Sequence, residues 1–214
     1  MSARVVSVNV GRPAALIPGR RAVPSAIVKQ PVTGPVAARG TNLAGDEQAD
    51  KVNHGGHDQA VYAYASEDAA FWSAEIGREL APASFGENLT LAGVEVSGAR
   101  IGERWRIGTA ELRVAGPRVP CFKLEARIGV RGFQRRFLHA GRPGAYLAIV
   151  DEGDLQAGDP VEIVHRPDHE VTVALVIEAL LVDRSRVSEL EPASADMLPK
   201  LAGWYAELTG EPAA

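Results

Sequence analysis

Short runs in which apolar and polar residues alternate fill the chain up to about residue 164, and glycine or proline separates them. Alternation with a period of two is typical of strands that bury one face. The predicted strands are VVSVNV, SAIVKQPV, GPVAARG, AVYAYA, ENLTL, ERWRIG, AELRVAG, AYLAIV and PVEIVHR. Many short strands at this spacing predict a closed or nearly closed β-barrel.

Two segments between these strands have helical spacing instead. SEDAAFWSAEIGREL repeats large apolar residues at i+4, and Ser66 at its start is the expected N-cap. A second helix is predicted from about residue 124 to residue 139, where Gly129 and Gly132 can break it because glycine is a poor helix former. We therefore expect helices to interrupt the strands.

The pattern changes after residue 166. Apolar residues from Val171 onward recur at helical spacing, with Asp168 as the candidate cap, and RVSELEPASADMLPKLAGWYAELTG can form two more short helices. The sequence therefore predicts a mainly β, α+β fold. Its two predicted parts are a β-barrel domain over residues 1–166 and a small three-helix appendage over residues 167–214.

Composition narrows the classes of function. A chain of 214 residues is long enough for one domain with a small appendage, and its formal net charge of -4 argues against broad capture of nucleic acid or anionic membrane. The single cysteine cannot form an internal disulfide, the N-terminus lacks the apolar core of a secretion signal, and the longest apolar stretch, residues 171–182, is too short to span a bilayer. We expect a cytoplasmic protein that binds neither nucleic acid nor membrane.

The stretch GPRVPCFKL holds that single cysteine, Cys121. Its two prolines favour a stiff, irregular segment after the strand, and Arg118 and Lys123 lie close in sequence. A cation near a thiol favours the thiolate, which is both the nucleophile and the metal ligand. Free cysteine is also among the most buried residue types, so an inert core thiol is the alternative.

A second candidate stretch is GDEQADKVNHGGHDQAVYAY, which places acids and histidines around Gly55 and Gly56 ahead of a strand. His54, His57 and Asp58 have the chemistry of zinc ligands or of acid and base catalysts. Aspartate and histidine are also frequent in turns for local reasons. The residues alone therefore leave a metal site, a catalytic site and a structural turn open.

Two further positions carry polar groups. Asn88 in FGENLT follows a glycine turn, and its amide can both donate and accept hydrogen bonds. Lys29 lies in a predicted apolar strand, where it is either solvated or directed at an anion. Each of these positions is also compatible with a purely structural role.

The three stretches GDEQADKVNHGGHDQAVYAY, FGENLT and GPRVPCFKLEARIG, in this order and on a β-rich frame, resemble the MOSC family, and within it the stand-alone bacterial YiiM-type proteins. The resemblance covers nearly the whole chain. It implies a barrel that holds molybdenum bound to a pyranopterin dithiolene, with Cys121 as the molybdenum ligand. It also implies a reductase of N-hydroxylated compounds such as hydroxylaminopurine, N-hydroxycytosine, amidoximes and hydroxyurea-like substrates.

The resemblance suggests roles for the other candidate residues. Lys29 and Asn88 fall where relatives keep a cofactor-side lysine and asparagine. Cations and glycine-turn amides suit the anionic phosphate of the pterin, and a histidine with a pKa near neutrality suits proton donation to the leaving oxygen. The residues expected to bind the cofactor are Lys29, Gly55, Gly56, Asn88, Arg118, Cys121 and Lys123, and those expected to be catalytic are Cys121, His54 as proton donor and Asp58 as its orienting partner.

The sequence departs from the family pattern at two positions, and two rival functions stay open. His57 stands where a small residue or proline is more usual, and Gly116 where a polar residue is more usual, so the pocket mouth differs. No flavin or nicotinamide fingerprint is visible, and a separate flavoprotein or other redox partner must supply electrons. A homodimer is compatible with the helical appendage. The rival functions are a zinc-dependent hydrolase using His54, His57 and Asp58, and a non-catalytic carrier of the cofactor or of a persulfide on Cys121.

Overall fold

Strands and helices alternate along residues 2–16, 23–49 and 55–210, which are the parts of the chain that the computed structural model describes. The strands are β1 (Arg4–Val10), β2 (Ala14–Ala15), β3 (Pro24–Ser25), β4 (Gln30–Val32), β5 (Val36–Arg39), β6 (Asn42–Leu43), β7 (Val61–Ala65), β8 (Leu89–Ala92), β9 (Arg104–Ile107), β10 (Ala110–Pro117), β11 (Ala145–Asp151), β12 (Gly153–Leu155) and β13 (Val161–His165). The α-helices are α1 (Ser66–Ile76), α2 (Phe122–Ile128), α3 (Phe133–His139), α4 (Val173–Leu181) and α5 (Pro199–Thr209), and the 3-10 helices are His57–Gln59 and Arg184–Asp196.

Eight strands form one mixed sheet in the order β13-β9-β10-β11-β7-β8-β1-β4. Its pairs are antiparallel except for β7 and β8, which run parallel and are connected through α1. Smaller sheets are formed by β12, β5 and β6 and by β2 and β3. The mainly β, α+β class predicted from the sequence is confirmed.

The two ends of the large sheet approach each other without forming a strand ladder. Val5 N donates to Asp159 O at 2.9 Å and Val161 N donates to Ala3 O at 3.1 Å, beside a single bridge between Arg4 and Pro160. Within the described ranges no pairing of named strands closes the sheet. The closed barrel therefore stays a prediction.

Strand β7 is buried on both faces, which explains its unbroken apolar and aromatic sequence. Val61, Ala63 and Ala65 belong to the main core, whereas Tyr62 and Tyr64 point into a second cluster on the opposite face. Helices α1 to α3 cover that second cluster with Trp72, Leu124, Ile128, Phe133 and Phe137. The alternation of β7 thus divides its side chains between two cores.

The C-terminal helices share the main core with the sheet. Val176, Leu190 and Leu201 belong to the same buried cluster as the sheet residues. Two α-helices and one long 3-10 helix stand where three helices were expected, and the 3-10 helix contains Pro192. The predicted boundary between residues 166 and 167 falls between β13 and α4. None of the described helices is both long enough and apolar enough to cross a bilayer.

Local details correct several predictions. Ser66 is the first residue of α1 rather than its cap, and Thr172, not Asp168, caps α4 by accepting from Leu175 N at 3.1 Å. The predicted break at Gly129 and Gly132 is confirmed by positive φ values of 73° and 77°.

The predicted strand SAIVKQPV is also shorter than expected. Only its ends are extended, in β3 and β4, and residues 26–29 between them are irregular. Lys29 therefore precedes a strand instead of lying inside one.

Candidate cofactor site

A cavity of about 100 Å³ lies where several segments distant in sequence meet. Its walls come from residues 25–29, 46–49, 59–62, 86–88 and 118–123 and from Tyr146. Five of the residues predicted from the sequence contribute to these walls, namely Lys29, Asn88, Arg118, Cys121 and Lys123. The structure therefore brings together Lys29, residues of FGENLT and GPRVPCFKL, and both ends of GDEQADKVNHGGHDQAVYAY.

Strand register explains this convergence. Tyr62 in β7 lies opposite Tyr146 in β11, and Tyr146 lies opposite Gly116 in β10. Asn88 N donates to Tyr62 O at 2.7 Å and Tyr62 N donates to the Asn88 side-chain oxygen at 3.1 Å. Gly116, Tyr146 and Tyr62 therefore form one row across the sheet, and this row connects the segment before Cys121 with Asn88 in FGENLT.

Lys29 is buried and paired with Asp46. Its ammonium donates to Asp46 Oδ1, which also accepts from Gly11 N at 2.7 Å, and the Asn88 amide donates to Asp46 Oδ2 at 2.9 Å. Burial lowers the pKa of Lys29 below its ordinary value, Asp46 offsets part of that shift, and the charge of Arg118 adds to it. Since Asp46 compensates Lys29, the ammonium adds little net charge to the cavity.

Arg118 is a buried cation of a different kind. Its Nη1 donates to the backbone carbonyl of Phe85, and the guanidinium lies 5.0 Å from the centre of the Tyr62 ring. Its Nε is buried and has no acceptor among the described residues, and no described carboxylate forms an ion pair with it. Arg118 therefore brings uncompensated positive charge and a free donor to the cavity wall.

The turn before β8 is held by Glu87. Its carboxylate accepts from Ala83 N at 2.7 Å, Phe85 N at 3.0 Å and Thr90 Oγ1 at 2.8 Å. Burial raises the pKa of Glu87 above its ordinary value, and these hydrogen bonds offset only part of the shift. Gly86 beside it has φ +74°, and a Cβ there would lie 2.5 Å from Ile27 Cγ1. The turn is shaped so that Ile27 and Asn88 form the cavity wall.

Cys121 is half-buried and occupies the N-cap position of α2, where its carbonyl accepts from Leu124 N at 2.9 Å. The Pro120 carbonyl accepts from the Gln134 side chain at 3.1 Å, which fixes the segment from its other side. Arg118 lies close enough to interact electrostatically with Cys121. The prolines and these two hydrogen bonds therefore hold the sulfur at the cavity wall.

A second cavity, of about 170 Å³, adjoins the first. Gln59, Cys121 and Tyr146 line both cavities. The remaining walls of the second cavity come from Pro117, Val119 and Pro120 and, at the start of the C-terminal helix, from Leu198, Lys200 and Leu201. Burial raises the pKa of Tyr146 above its ordinary value, so its phenol remains protonated at neutral pH. Cys121 thus lies at the junction of two cavities.

The predicted residues Gly55, Gly56 and Asp58 lie outside both cavity walls. Asp58 accepts from Arg113 at 2.7 Å, and Gly56 N donates to the Gln48 side chain at 3.1 Å. Neither Gly55, Gly56 nor Asp58 lines a cavity. The Asp58 carboxylate forms an ion pair with Arg113, and its expected role as the orienting partner of His54 stays a prediction. His54 lies outside the described residues, and its role stays a prediction.

The zinc alternative gains no support from the described residues. No three His, Cys, Asp or Glu side chains converge there as metal ligands. His57 has a 61% exposed side chain, and its Nδ1 lies 3.8 Å from an Asp58 oxygen that already accepts from Arg113. His54, which this alternative also needs, is not described.

Several wall residues were not among the candidate site residues, including Asp46, Gln59, Tyr62 and Tyr146. Asp46 and Gln59 lie inside GDEQADKVNHGGHDQAVYAY, so their position in that motif could have identified them. Tyr146 stands in the ordinary strand sequence AYLAIV. Only the register of β7, β10 and β11 reveals its place, and single-sequence patterns do not predict that pairing.

The chemistry of these residues fits a molybdenum cofactor. A thiolate sulfur is a soft ligand that suits a metal already bound by sulfur. Arg118 offers a buried, unpartnered N–H donor and positive charge for an anionic phosphate, with Lys123 on the same wall. The cavity thus combines the predicted metal ligand with a cation for the phosphate.

Comparisons with known proteins agree with the family resemblance seen in the sequence. The MOSC domain model matches residues 50–162, more than half of the chain. The chain is 36% identical over 154 residues to protein YiiM of Escherichia coli, covering 70% of this chain and 68% of that protein. It is 33% identical over 149 residues to a protein of Gibberella moniliformis named Reductase, covering 68% of this chain and 26% of that protein.

A solved structure extends the similarity to the whole fold. The crystal structure of YiiM from Geobacillus stearothermophilus is similar with a TM-score of 0.79 and 26% identity, covering 96% of this chain and 98% of that one. The similar region includes the C-terminal helices as well as the sheet, since it leaves out only a small part of either chain. The chain belongs to the MOSC domain family.

Proposed function

We propose that this protein is a molybdenum cofactor-dependent reductase of N-hydroxylated compounds. The substrates are hydroxylaminopurine, N-hydroxycytosine, amidoximes and hydroxyurea-like molecules. The N–O bond breaks as R–NHOH takes up two electrons and two protons, and the products are R–NH2 and water. A separate flavoprotein or other electron donor supplies the electrons.

The observation that carries the proposal is the location of Cys121. Its half-buried sulfur lines a cavity that also holds Arg118, whose positive charge no described carboxylate compensates. A soft ligand beside an anion-binding cation is the pairing that a metal bound to an anionic pterin requires. An inert core cysteine would have no need of this neighbour.

The proposed division of labour follows from the contacts. Cys121 holds the metal, Arg118 and Lys123 bind the pterin phosphate, and Asn88 with Asp46 keeps the cavity wall in shape. When bound, the molybdenum cofactor supplies the two-electron chemistry. His54 remains the predicted proton donor, while the ion pair with Arg113 supports a structural role for Asp58.

The relatives favour a reductase over the alternatives. The YiiM similarity covers two thirds or more of both chains, and the Gibberella moniliformis protein is named Reductase, although this chain spans only 26% of its length. A carrier function has no specific structural observation in its favour. The zinc hydrolase lacks a converging ligand set among the described residues.

The decisive experiment is expression in cells that make the molybdenum cofactor and in cells that cannot. Reduction of 6-hydroxylaminopurine is then assayed with an artificial electron donor for wild type and Cys121→Ser, together with molybdenum and pterin content. We expect activity only for wild type from cofactor-producing cells. Serine is similar in size, so circular dichroism should show that the variant keeps its fold.

Each other outcome selects a different function. Equal activity in all samples would end the molybdenum proposal. Stoichiometric zinc without molybdenum or pterin would favour the hydrolase. Bound molybdenum and pterin without reduction of any hydroxylamine would favour the carrier.

A further inference from the structure

We infer that the second cavity receives the N-hydroxylated substrate, and that Gln59 and Tyr146 bind its N–OH region beside Cys121. This inference rests on the proposed reductase function and names the substrate pocket for it. The first cavity then holds the cofactor, and the substrate approaches from the side of the C-terminal helix. The C-terminal segment thereby gains a functional role as a wall of the substrate pocket.

The two cavities meet at three residues, which fixes where a reaction can occur. Gln59, Cys121 and Tyr146 line both of them, whereas Lys29, Asn88 and Arg118 line only the first. A molecule in the second cavity therefore reaches the predicted metal ligand without displacing anything bound near Arg118. Separate pockets that share the reacting position let cofactor and substrate bind at the same time.

Two polar side chains at this junction have no hydrogen-bond partner in the described part of the chain. The side-chain amide of Gln59 and the hydroxyl of Tyr146 form no hydrogen bond with any described residue. Both residues are half-buried, so their polar groups are open to water or to a ligand in the cavity. The amide can donate and accept, and the hydroxyl can donate, which matches the mixed donors and acceptors of an N-hydroxylated amidine edge.

The remaining walls indicate the size and charge of the substrate. Most of them are apolar, namely Pro117, Val119, Pro120, Leu198 and Leu201, while Lys200 adds one cation and no described acidic side chain lines this cavity. The volume of this cavity is about 170 Å³. These walls suit a small, flat molecule without positive charge, such as a free base or an amidoxime.

Gly116 explains how the C-terminal helix comes to form this wall. A Cβ at position 116 would lie 2.9 Å from Leu198 Cδ2 and 3.1 Å from Leu201 Cδ1. The absence of a side chain lets both leucines pack against β10, next to Pro117 and Val119. The departure from the family pattern at Gly116 thus coincides with the predicted substrate wall.

The first test maps binding without turnover. The full-length 15N-labelled protein, as purified and without an electron donor, is titrated with 6-hydroxylaminopurine and followed by amide chemical shifts. We expect saturable shifts at Val119, Leu198 and Leu201. Saturable shifts confined to Ile27 and Gly86 on the first cavity, or no saturable shifts, would overturn the inference.

The second test uses matched variants. Val119→Phe fills the second cavity and should raise KM more than tenfold with molybdenum content unchanged, whereas Val130→Phe, a half-buried valine away from both cavities, should leave KM within twofold. Gln59→Ala should raise KM about tenfold, the ratio that one lost hydrogen bond produces. An unchanged KM in Val119→Phe and Gln59→Ala would contradict the assignment.

These results separate this inference from the proposed function. If 6-hydroxylaminopurine shifts Val119 and Leu201 but the loaded enzyme does not reduce it, the pocket is right and the reaction is wrong. If reduction occurs but the shifts map to Ile27 and Gly86, the reaction is right and the pocket is wrong. Tyr146→Phe adds a further check, since loss of its hydroxyl should lower kcat/KM about tenfold while circular dichroism and molybdenum content stay unchanged.

Discussion

The Asn88 side-chain amide donates to Asp46 at 2.9 Å across 42 positions of sequence, and this contact joins two of the stretches that point to the cofactor site. The other Asp46 oxygen accepts from Lys29 and from Gly11 N. One carboxylate therefore fixes a loop, a lysine and an asparagine around the same cavity. Changes at Asp46 should affect both stability and cofactor loading.

Asp46→Asn should destabilise the fold because it leaves the buried Lys29 ammonium without a counter-charge. Removing one partner of a buried ion pair costs about 3–5 kcal/mol, and we expect about 3 kcal/mol because the lowered pKa of Lys29 eases its neutralisation. Urea unfolding measures the loss. Glu47→Gln, at the exposed neighbouring carboxylate, should change stability by less than about 0.5 kcal/mol.

Adding Lys29→Met to Asp46→Asn provides the critical comparison. The double variant has no unpaired buried charge, so it should recover part of the stability that the single variant lost. A double variant less stable than Asp46→Asn would show that the ammonium is not the source of the loss.

Glu87 should give the protein a pH-dependent stability with a defined sign. Burial raises the pKa of Glu87 in the folded state above 4.5, so between 4.5 and the raised pKa the folded protein binds more protons than the unfolded chain. Stability must then fall as the pH rises through that window, and the contribution is fully present below pH 4.5. Relative to Glu87→Gln, the unfolding free energy of wild type should decline from pH 4 to pH 8 in urea titrations.

The control for this slope is an exposed carboxylate. Glu79→Gln should keep the wild-type pH profile, since Glu79 is exposed and makes no described ion pair. Parallel profiles for wild type and Glu87→Gln would contradict a raised pKa at this site.

Gly86→Ala should disturb the cavity wall more than the same change at another glycine with positive φ. Gly86 has φ +74°, and its Cβ would lie 2.5 Å from Ile27 Cγ1, whereas Gly141 has φ +65° and nothing within 4 Å. Both variants carry left-handed strain of about 1–2 kcal/mol. Gly86→Ala should lose about 1–3 kcal/mol more because of the clash, and equal melting shifts by calorimetry would argue against it.

Sequence patterns predicted individual strands and helices better than the pairing between strands. Alternation identified β7, β9 and β10 because each has a continuous run with a period of two or an unbroken apolar core. GPVAARG predicted β5, but the short strands β2, β6 and β12 were not predicted, because runs of two or three residues have no measurable period. Lys29 was placed in a strand because the apolar run around it continued, although the chain leaves the sheet there.

The same limit applies to the candidate site. Cys121, Arg118 and Lys123 were identified because they are adjacent in sequence. Tyr146 was missed because it meets Cys121 only through the pairing of β10 with β11. The contact of Asp58 with Arg113, which lies 55 positions away in sequence, was not predicted either. Contacts of this range follow from topology, which a single sequence does not show.

Thr172→Ala should destabilise α4 through loss of its cap. The Thr172 hydroxyl accepts from Leu175 N at 3.1 Å, and removing such a cap costs about 1 kcal/mol. Asp168→Ala, at the exposed residue that the sequence favoured as the cap, should change the unfolding free energy by less than about 0.5 kcal/mol. Equal effects in urea unfolding would mean that both residues, or neither, stabilise the helix.

Arg118→Met should abolish cofactor loading while the fold persists. The guanidinium brings uncompensated charge and a free Nε donor to the cavity, and methionine keeps comparable length without either. Arg118→Lys keeps the charge but loses the planar donor set, so it should retain part of the loading. Molybdenum and pterin content after purification from cofactor-producing cells measures the effect, with exposed Arg131→Met as the matched control. Among the described cations on the cavity wall, Arg118 alone is both buried and without a carboxylate partner. Wild-type cofactor loading in Arg118→Met would therefore contradict its role in binding the phosphate.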